Sequence, residues 1–505
     1  MQFQVVWFKK DLRISDHRPL VNAAENGPVL ALYVYENRLL GAEDFSGRHL
    51  KFLNECIAEL QAGLKSLGGE LTLHRGEVID SLQAILEEVG SFHLWSHEET
   101  GNDLSYQRDI EIGKWCEANG VLWTEIPQVG VVRRLENRDG WSTRWNSRMS
   151  EPLTPCPSPD EIEFFAPKIP GDLLQDTEML AFPEATGTLD LQRGGRSHAL
   201  RLQESFLESR GQHYQKEMSS PLSAESACSR LSPYLAFGCV SMRELYQTAR
   251  DYRTELYELK KEGETIAPGW LGSLKSYLGR LRWHCHFMQK LEDEPSIEFR
   301  NFSRSCDGLR ENEWNQEWHE AWCEGRTGYP MIDAAMRYLQ HTGWINFRMR
   351  AMLVSFSSYH LWNHWKKPAH HLARLFTDYE PGIHYSQIQM QSGVTGINTV
   401  RIYSPIKQAE DQDPSGDFIR RWVPELEGVP VPLLLKPETL TFMEQSLYGC
   451  RIGKDYPAPI VDHSSAYHGA RTRMYQLRGS RKSREEAAHI QAKHGSRKRG
   501  SRSWR

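Results

Sequence analysis

Four short apolar runs open the chain: "FQVVWF" at residues 3 to 8, "PVLALYVY" at 28 to 35, "ELTLH" at 70 to 74 and "SFHLW" at 91 to 95. Between them lie segments such as "SGRHLKFLNECIAELQAGLKSLG" and "VIDSLQAILEEVG", whose apolar positions recur every three or four residues. Strands alternating with amphipathic helices predict a parallel, doubly wound sheet, with any ligand crevice at the carboxyl ends of its strands. No G-x-G-x-x-G follows the first run, which argues against a dinucleotide there. Residues 131 to 195 hold Pro, Ser and Asp without periodicity and read as a long connector. From about residue 196 the pattern turns helical, as in "DAAMRYLQHTGWINFRMRAMLVSFSSYHLWNHW". The expected organisation is an α/β domain over 1–130, a linker over 131–195, a large all-α domain over 196–468 and a basic tail over 469–505.

Composition narrows this picture. A chain of 505 residues with sixteen tryptophans and 39% hydrophobic residues is long enough for two buried cores. It shows no apolar run of the roughly 20 residues a membrane span needs. Its start carries no signal-peptide pattern, so a cytoplasmic monomer is expected. Nine scattered cysteines without a C-x-x-C pair give no disulfide framework or thiolate metal site, so no metal is expected. The net charge of -5 is uneven: residues 469–505 hold twelve Lys/Arg against two Glu, a balance of +10 that leaves -15 for the rest. Such a tail is either a solvated end or a contact for an anionic partner such as nucleic acid. In "SACSRLSPYLAFG", Ser229 and Ser232 precede an apolar helix pattern, where hydroxyls and free N–H groups cap the helix or hold an anion.

Five ordered segments carry a resemblance: "VVWFKKDLRISDHRPL", "SRLSPYLAFG", "EGRTGYPMIDAAMRYLQHTGWINFRMR", "VRIYSPIKQAEDQDPSGDFIRRWVPEL" and "DYPAPIVDH". Together they resemble the photolyase/cryptochrome superfamily over nearly the whole chain. The resemblance implies an antenna domain, a linker and a helical FAD-binding domain. It implies FAD contacts by Tyr214, Ser229, Arg230, Leu231 and Ser232. Cys228 stands where many members carry threonine, which puts one phosphate hydrogen bond in question. Arg350 and Asp378 match an ion pair beside the flavin, and Glu380 matches a second acidic position. Trp283 matches a tryptophan that stacks on the DNA lesion, with Arg280, Arg282, Arg348, Arg401 and Arg421 as candidate phosphate contacts.

The stretch "FTDYEPGIHYSQIQMQSG" departs from the family. His384 falls where photolyases carry the asparagine facing flavin N5, and as a histidine it can be neutral or charged. Ile388 replaces the flavin-proximal tryptophan of the electron-transfer chain. Trp365 matches the middle member, Trp318 and Trp314 compete for the distal place, and Tyr385 or Trp362 offers a detour. Met390 replaces a second lesion-clamping tryptophan, and Arg280 a substrate-binding glutamate. The segment "GWINF" lacks the paired histidines of (6-4) repair enzymes, and one cysteine after Cys323 cannot build a four-cysteine cluster. Glu98 or Glu99 is the candidate contact for a second, antenna chromophore of unknown identity. The resemblance thus implies blue-light repair of cyclobutane pyrimidine dimers, with a photoreceptor signalling through an unknown partner as the alternative.

Overall fold

Residues alternate sides along the first strand: Val5 and Trp7 enter one core, Val6 and Phe8 another, as a strand buried on both faces requires. The computed structural model describes residues 2–166 and 189–495. Five parallel strands, β1 (Phe3–Phe8), β2 (Val29–Glu36), β3 (Leu71–Gly76), β4 (Phe92–His97) and β5 (Leu122–Ile126), stand in the order β3-β2-β1-β4-β5. Helices α1 (Arg18–Asn26), α2 (Gly47–Ser66), α3 (Val78–Val89) and α4 (Asp103–Asn119) make the crossovers. The order reverses at β1, so a crevice opens between the carboxyl ends of β1 and its neighbours. The edge strand β5 is an addition to the four expected. Its "LWTEI" is only half-buried, with Leu122 60% exposed, and so lacks the continuous apolar run of the inner strands.

Behind β1 the chain is fixed by a buried hub. The Leu20 N–H donates to His17 Nδ1, so the His17 proton sits on Nε2 and is donated to Asp11 Oδ2 at 2.9 Å. His97 Nδ1 lies 2.7 Å from the same oxygen and must also donate, because a carboxylate only accepts. Both imidazoles therefore point protons, not lone pairs, at Asp11. Burial would raise this carboxyl, but the two histidines hold it well below the usual range. The hub joins the β1 exit, the start of α1 and the end of β4.

The connector carries α5 (Trp141–Met149), whose Trp141, Trp145 and Met149 are buried on one side, while residues 167–188 of the expected linker lie outside the described residues. The cavity-bearing half of the helical domain includes α6 (Ser232–Ala236), α7 (Met242–Lys261), α8 (Trp270–Asp293), α9 (Pro330–Thr342), α10 (Phe347–Ser355) and α11 (Pro381–Ser392). One core runs unbroken from Val6, Ala31 and Leu53 of the sheet domain to Tyr234, Leu245 and Leu274 of the helical one. Polar contacts reinforce it: Arg48 donates to the carbonyls of Leu339, Gln340 and Leu375, and His49 to that of Phe376.

Of the two readings of the basic tail, a solvated end does not describe residues 469–495, which pack on the body. Residues His463–Gly479 form α12 and Arg481–His494 form α13, both packed on the body. Met474 and Ala470 of α12 are buried with Tyr359 and Trp362. Ile490 of α13 joins Leu291, Ile297 and Phe302. The charge of this segment hid a sparse apolar stripe. Residues 496–505 lie outside the described residues.

Candidate functional site

Helix α8 is held to the core by Trp270, Leu274, Tyr277, Leu281, Cys285 and Met288, a four- and three-residue spacing whose opposite face borders a cavity around Trp283. Trp283 stands on that face, 45% exposed, with Phe287 one turn on at a ring distance of 5.5 Å. It looks into a cavity of about 770 Å³, whose other walls come from the 228–232 loop, α10 and α11. Helix α11 begins at Pro381, which suits a first helical position, and stops at Gly393, whose φ of 76° favours glycine. His384, Gln387, Ile388 and Gln391 line the cavity at helical spacing.

Of the residues expected from sequence, the structure brings Tyr214, Ser229, Arg230, Leu231, Ser232, Trp283, Arg280, Arg348, Arg350, Asp378, His384, Met390 and Arg401 to this cavity. Arg350 donates to both Asp378 oxygens at 2.9 and 2.8 Å, and its Nε–H reaches the Ile345 carbonyl at 2.7 Å. Burial alone would raise the Asp378 carboxyl; the Arg350 guanidinium overcomes it and holds the group below its usual range. Arg230 adopts a φ of 62°, uncommon for a residue with a side chain, and lies 4.1 Å over the Trp344 ring. Asn346 Oδ1 is buried at the cavity wall without a hydrogen-bond donor among the described residues. An orphaned polar atom of this kind, beside a braced guanidinium and a small-residue loop, fits a large polar ligand such as FAD.

His384 is 7% exposed, and burial pulls its imidazole down to about 4, so the ring is neutral near pH 7. Nε2 lies 2.9 Å from the Ala369 carbonyl, which can only accept. The single proton is therefore on Nε2, and Nδ1 is left as an acceptor. Sequence left open whether nearby carboxylates or burial would govern this ring; burial does.

Other expected residues lie elsewhere. Glu380 does not line the cavity: it turns towards the sheet domain, 3.8 Å from Lys10 Nζ, beside Glu99. Arg421 is on the outer surface, 3.4 Å from Glu225. Trp365 is fully buried behind the cavity, its Nε1–H donating to Asn301 at 2.8 Å. Its ring neighbours are Tyr385 at 6.4 Å and His364 at 5.3 Å, and Tyr385 in turn lies 5.4 Å from His384. Among the described residues neither Trp318 nor Trp314 makes ring contact with Trp365; Trp314 packs on His319 and under Lys367. Trp362 is sandwiched by Arg310 at 4.5 Å and Arg473 at 4.7 Å. Glu313 accepts from Trp362 Nε1 at 3.1 Å and pairs with Arg473, so Arg310 is the cation that opposes a positive hole on the ring and disfavours Trp362 as the detour.

Two features were missed by sequence reasoning. Gln491, His494 and Gly495, at the end of α13, line the same cavity, as does Lys290 of α8. No family segment signalled them; the only hint was Lys290 at helical spacing from Trp283. A second, smaller cavity of about 140 Å³ opens at the carboxyl ends of the strands, between Tyr35, Arg108, Phe45 and Tyr379. Glu99 lies on its wall, bound at 2.7 Å to Arg108, which also holds Glu36 at 2.7 Å. Glu98 faces the domain junction.

A parallel-sheet domain is joined by one core to a helical domain that carries an Arg–Asp-braced cavity behind an exposed tryptophan, an arrangement with room for a large polar cofactor. Comparison with known proteins agrees. Residues 4–134 match the family model of DNA photolyase, and residues 277–476 match that of the FAD binding domain of DNA photolyase. The chain is 29% identical to a deoxyribodipyrimidine photo-lyase of Streptomyces griseus, over 95% of this chain and 100% of the relative. It is 28% identical to a cryptochrome DASH of Gloeobacter violaceus, over 91% and 93%. A bacterial class III photolyase of Agrobacterium tumefaciens superposes with a TM-score of 0.82 at 25% identity, covering 95% of this chain and 98% of its own. The chain belongs to the photolyase/cryptochrome superfamily. No helix among the described residues is long and apolar enough to cross a membrane.

Proposed function

We propose that the protein is a blue-light-driven, FAD-dependent DNA photolyase acting on cyclobutane pyrimidine dimers. The observation that carries this reading is Trp283, a large aromatic ring left 45% exposed on the wall of the cavity that also holds the Arg350–Asp378 pair. Bound there, reduced FAD supplies a light-excited electron. The chain's residues do the rest. Tyr214, the 229–232 loop and the Arg350–Asp378 pair hold the cofactor. Trp283 offers a face on which an extruded base pair stacks, and pairing already weakened at a lesion lowers the cost of extrusion. Met390 gives a soft contact in place of a second aromatic clamp. Arg280 and Arg401 are exposed at the cavity and Arg348 is half-buried, placed for strand phosphates. His384 Nδ1 would be the acceptor offered to a donor on the bound cofactor. The smaller cavity is the place for a second chromophore.

The experiment is direct: chemically reduced holoprotein with a dimer-bearing oligonucleotide should restore intact pyrimidines under blue light and not in darkness. No light-dependent restoration sinks the repair reading. Ile388 at the cavity wall favours the second reading, a cryptochrome-type photoreceptor, because it removes the aromatic ring next to the flavin site. That reading requires lesion-independent photochemistry and a partner protein.

A further inference from the structure

Helix α8 carries a stripe beyond Trp283. Phe287 lies four residues on and Lys290 seven, so all three share one face, with Lys290 about 10 Å along the axis from Trp283. Lys290 is 5% exposed and borders the cavity. Its ammonium stands 5.0 Å from the Phe287 ring and 5.8 Å from that of Phe302, and among the described residues it has no hydrogen-bond acceptor. The acids that follow it in the chain are engaged elsewhere, Glu292 accepting from Thr100 at 3.0 Å. Asp293 is bound by Arg138 at 3.1 Å and Gln289 at 2.7 Å, and Glu294 by Lys493 and His494 at 2.8 Å each. A buried ammonium without a counterion is costly, and an apolar side chain of the same length would pack against the two phenylalanines at no such cost. The arrangement is explained if the missing partner enters through the cavity. Burial first, and Arg138 second, pull the ammonium down, so an anion, which favours its charged form, compensates it better than a neutral acceptor.

We propose that Lys290 is a phosphate-recognition residue, receiving a backbone phosphodiester of the nucleic-acid strand whose damaged bases stack on Trp283. This rests on the repair reading. The span of about 10 Å corresponds to two or three nucleotides at ~3.4 Å each. The phosphate would lie against the wall that α13 adds, beside Gln491, while His494 gives its one proton to Glu294. Lys290 is thereby a specificity residue, since it can meet its phosphate only when the strand has entered far enough for bases to reach Trp283.

The test compares the wild-type holoprotein with Lys290→Met, which keeps the length, and Lys290→Arg, which keeps the charge. Binding of a fluorescent dimer-bearing duplex is titrated over salt, then repeated with single neutral methylphosphonates walked along the damaged strand. Wild type should lose about tenfold in affinity at one methylphosphonate position. Lys290→Met should show that loss without modification, a salt slope smaller by about 0.9, no further response at that position, and a raised Tm because the lone charge is gone. Lys290→Arg should keep the wild-type profile. A wild-type slope and methylphosphonate profile in Lys290→Met overturns the proposal. The same titration on undamaged single strand separates the two ideas. A wild-type protein with no lesion preference and no light-driven repair sinks the repair reading, while the slope difference on plain strand still decides whether Lys290 meets a phosphate. No DNA binding by the wild type overturns both.

Discussion

Single side chains set the cavity's electrostatics. Asp378 is held by two hydrogen bonds from one guanidinium, so Asp378→Asn leaves Arg350 a mostly buried cation without its counterion. Breaking such a pair costs about 3 kcal/mol, and the variant should purify with little flavin and a lowered Tm, measured by absorbance and thermal melting. Trp283 acts by contact instead. Trp283→Ala should retain flavin but weaken lesion binding by roughly 1–3 kcal/mol, read by anisotropy against a dimer-bearing duplex. His384 gives a pH signature. Its folded-state pKa, about 4, is below the unfolded value near 6.5, so the unfolded chain gains the proton first as pH falls. Stability from this group is complete above about pH 6.5 and is lost as pH drops towards 4, amounting to about 2 kcal/mol at pH 5. Denaturant unfolding of His384→Asn should therefore lose less stability than wild type between pH 7 and pH 5; parallel curves would mean that His384 takes up its proton as readily in the fold as in the unfolded chain.

Elements differ in how plainly the sequence announces them. The inner strands are legible because both faces are buried, so their runs are continuously apolar. Strand β5 is not, because one side of an edge strand faces water. The cavity walls were approached through segment resemblance, and the structure pairs Arg350 with Asp378 although 28 residues separate them. The docking of the tail is hidden because its charges outnumber the few residues that hold it. Ile490 and Met474 are spaced too widely for an apolar face to show, and the strongest contact is polar. Glu486 accepts hydrogen bonds from Ser303 Oγ at 2.6 Å, Arg304 N at 2.6 Å and Ser305 N at 2.8 Å. Those donors belong to a tight turn that sequence does not place beside α13. Glu486→Ala should therefore free α13, so that amides 481–495 exchange much faster in deuterium-exchange mass spectrometry while those of β1 and β2 are unchanged. A truncation meant to probe the tail belongs after Gly479, between α12 and α13, because a cut after Ala470 would expose the Met474 cluster and confound binding with folding.

Over the whole molecule, the question is how charge leaves the cavity when light is absorbed by an oxidised flavin. On the proposed reading, Ile388 stands in place of the flavin-proximal tryptophan, and a contiguous file of rings runs from the cavity: His384 at the wall, Tyr385 5.4 Å on, Trp365 6.4 Å further, and His364 5.3 Å beyond, partly exposed. Tyrosine is a poor donor unless its proton has an acceptor, and burial pushes the Tyr385 phenol far above its usual value. Tyr379 is better provided, since its hydroxyl is bound at 2.5 Å to Asp44, a carboxylate from the sheet domain. Its ring lies 5.1 Å from His384. The union of the two domains thus places an acid of one beside the aromatic file of the other. Photoreduction of oxidised flavin in the presence of an external thiol should slow severalfold in Trp365→Phe and in Asp44→Asn, followed by the loss of oxidised-flavin absorbance under blue light. Trp362→Phe should leave the rate unchanged, since the Arg310 guanidinium opposes a hole on that ring. Repair by chemically reduced protein should be unaffected in all three. If Trp362→Phe alone slows photoreduction, the hole travels towards α12, and the tail's Arg473 would then stand beside the site of charge.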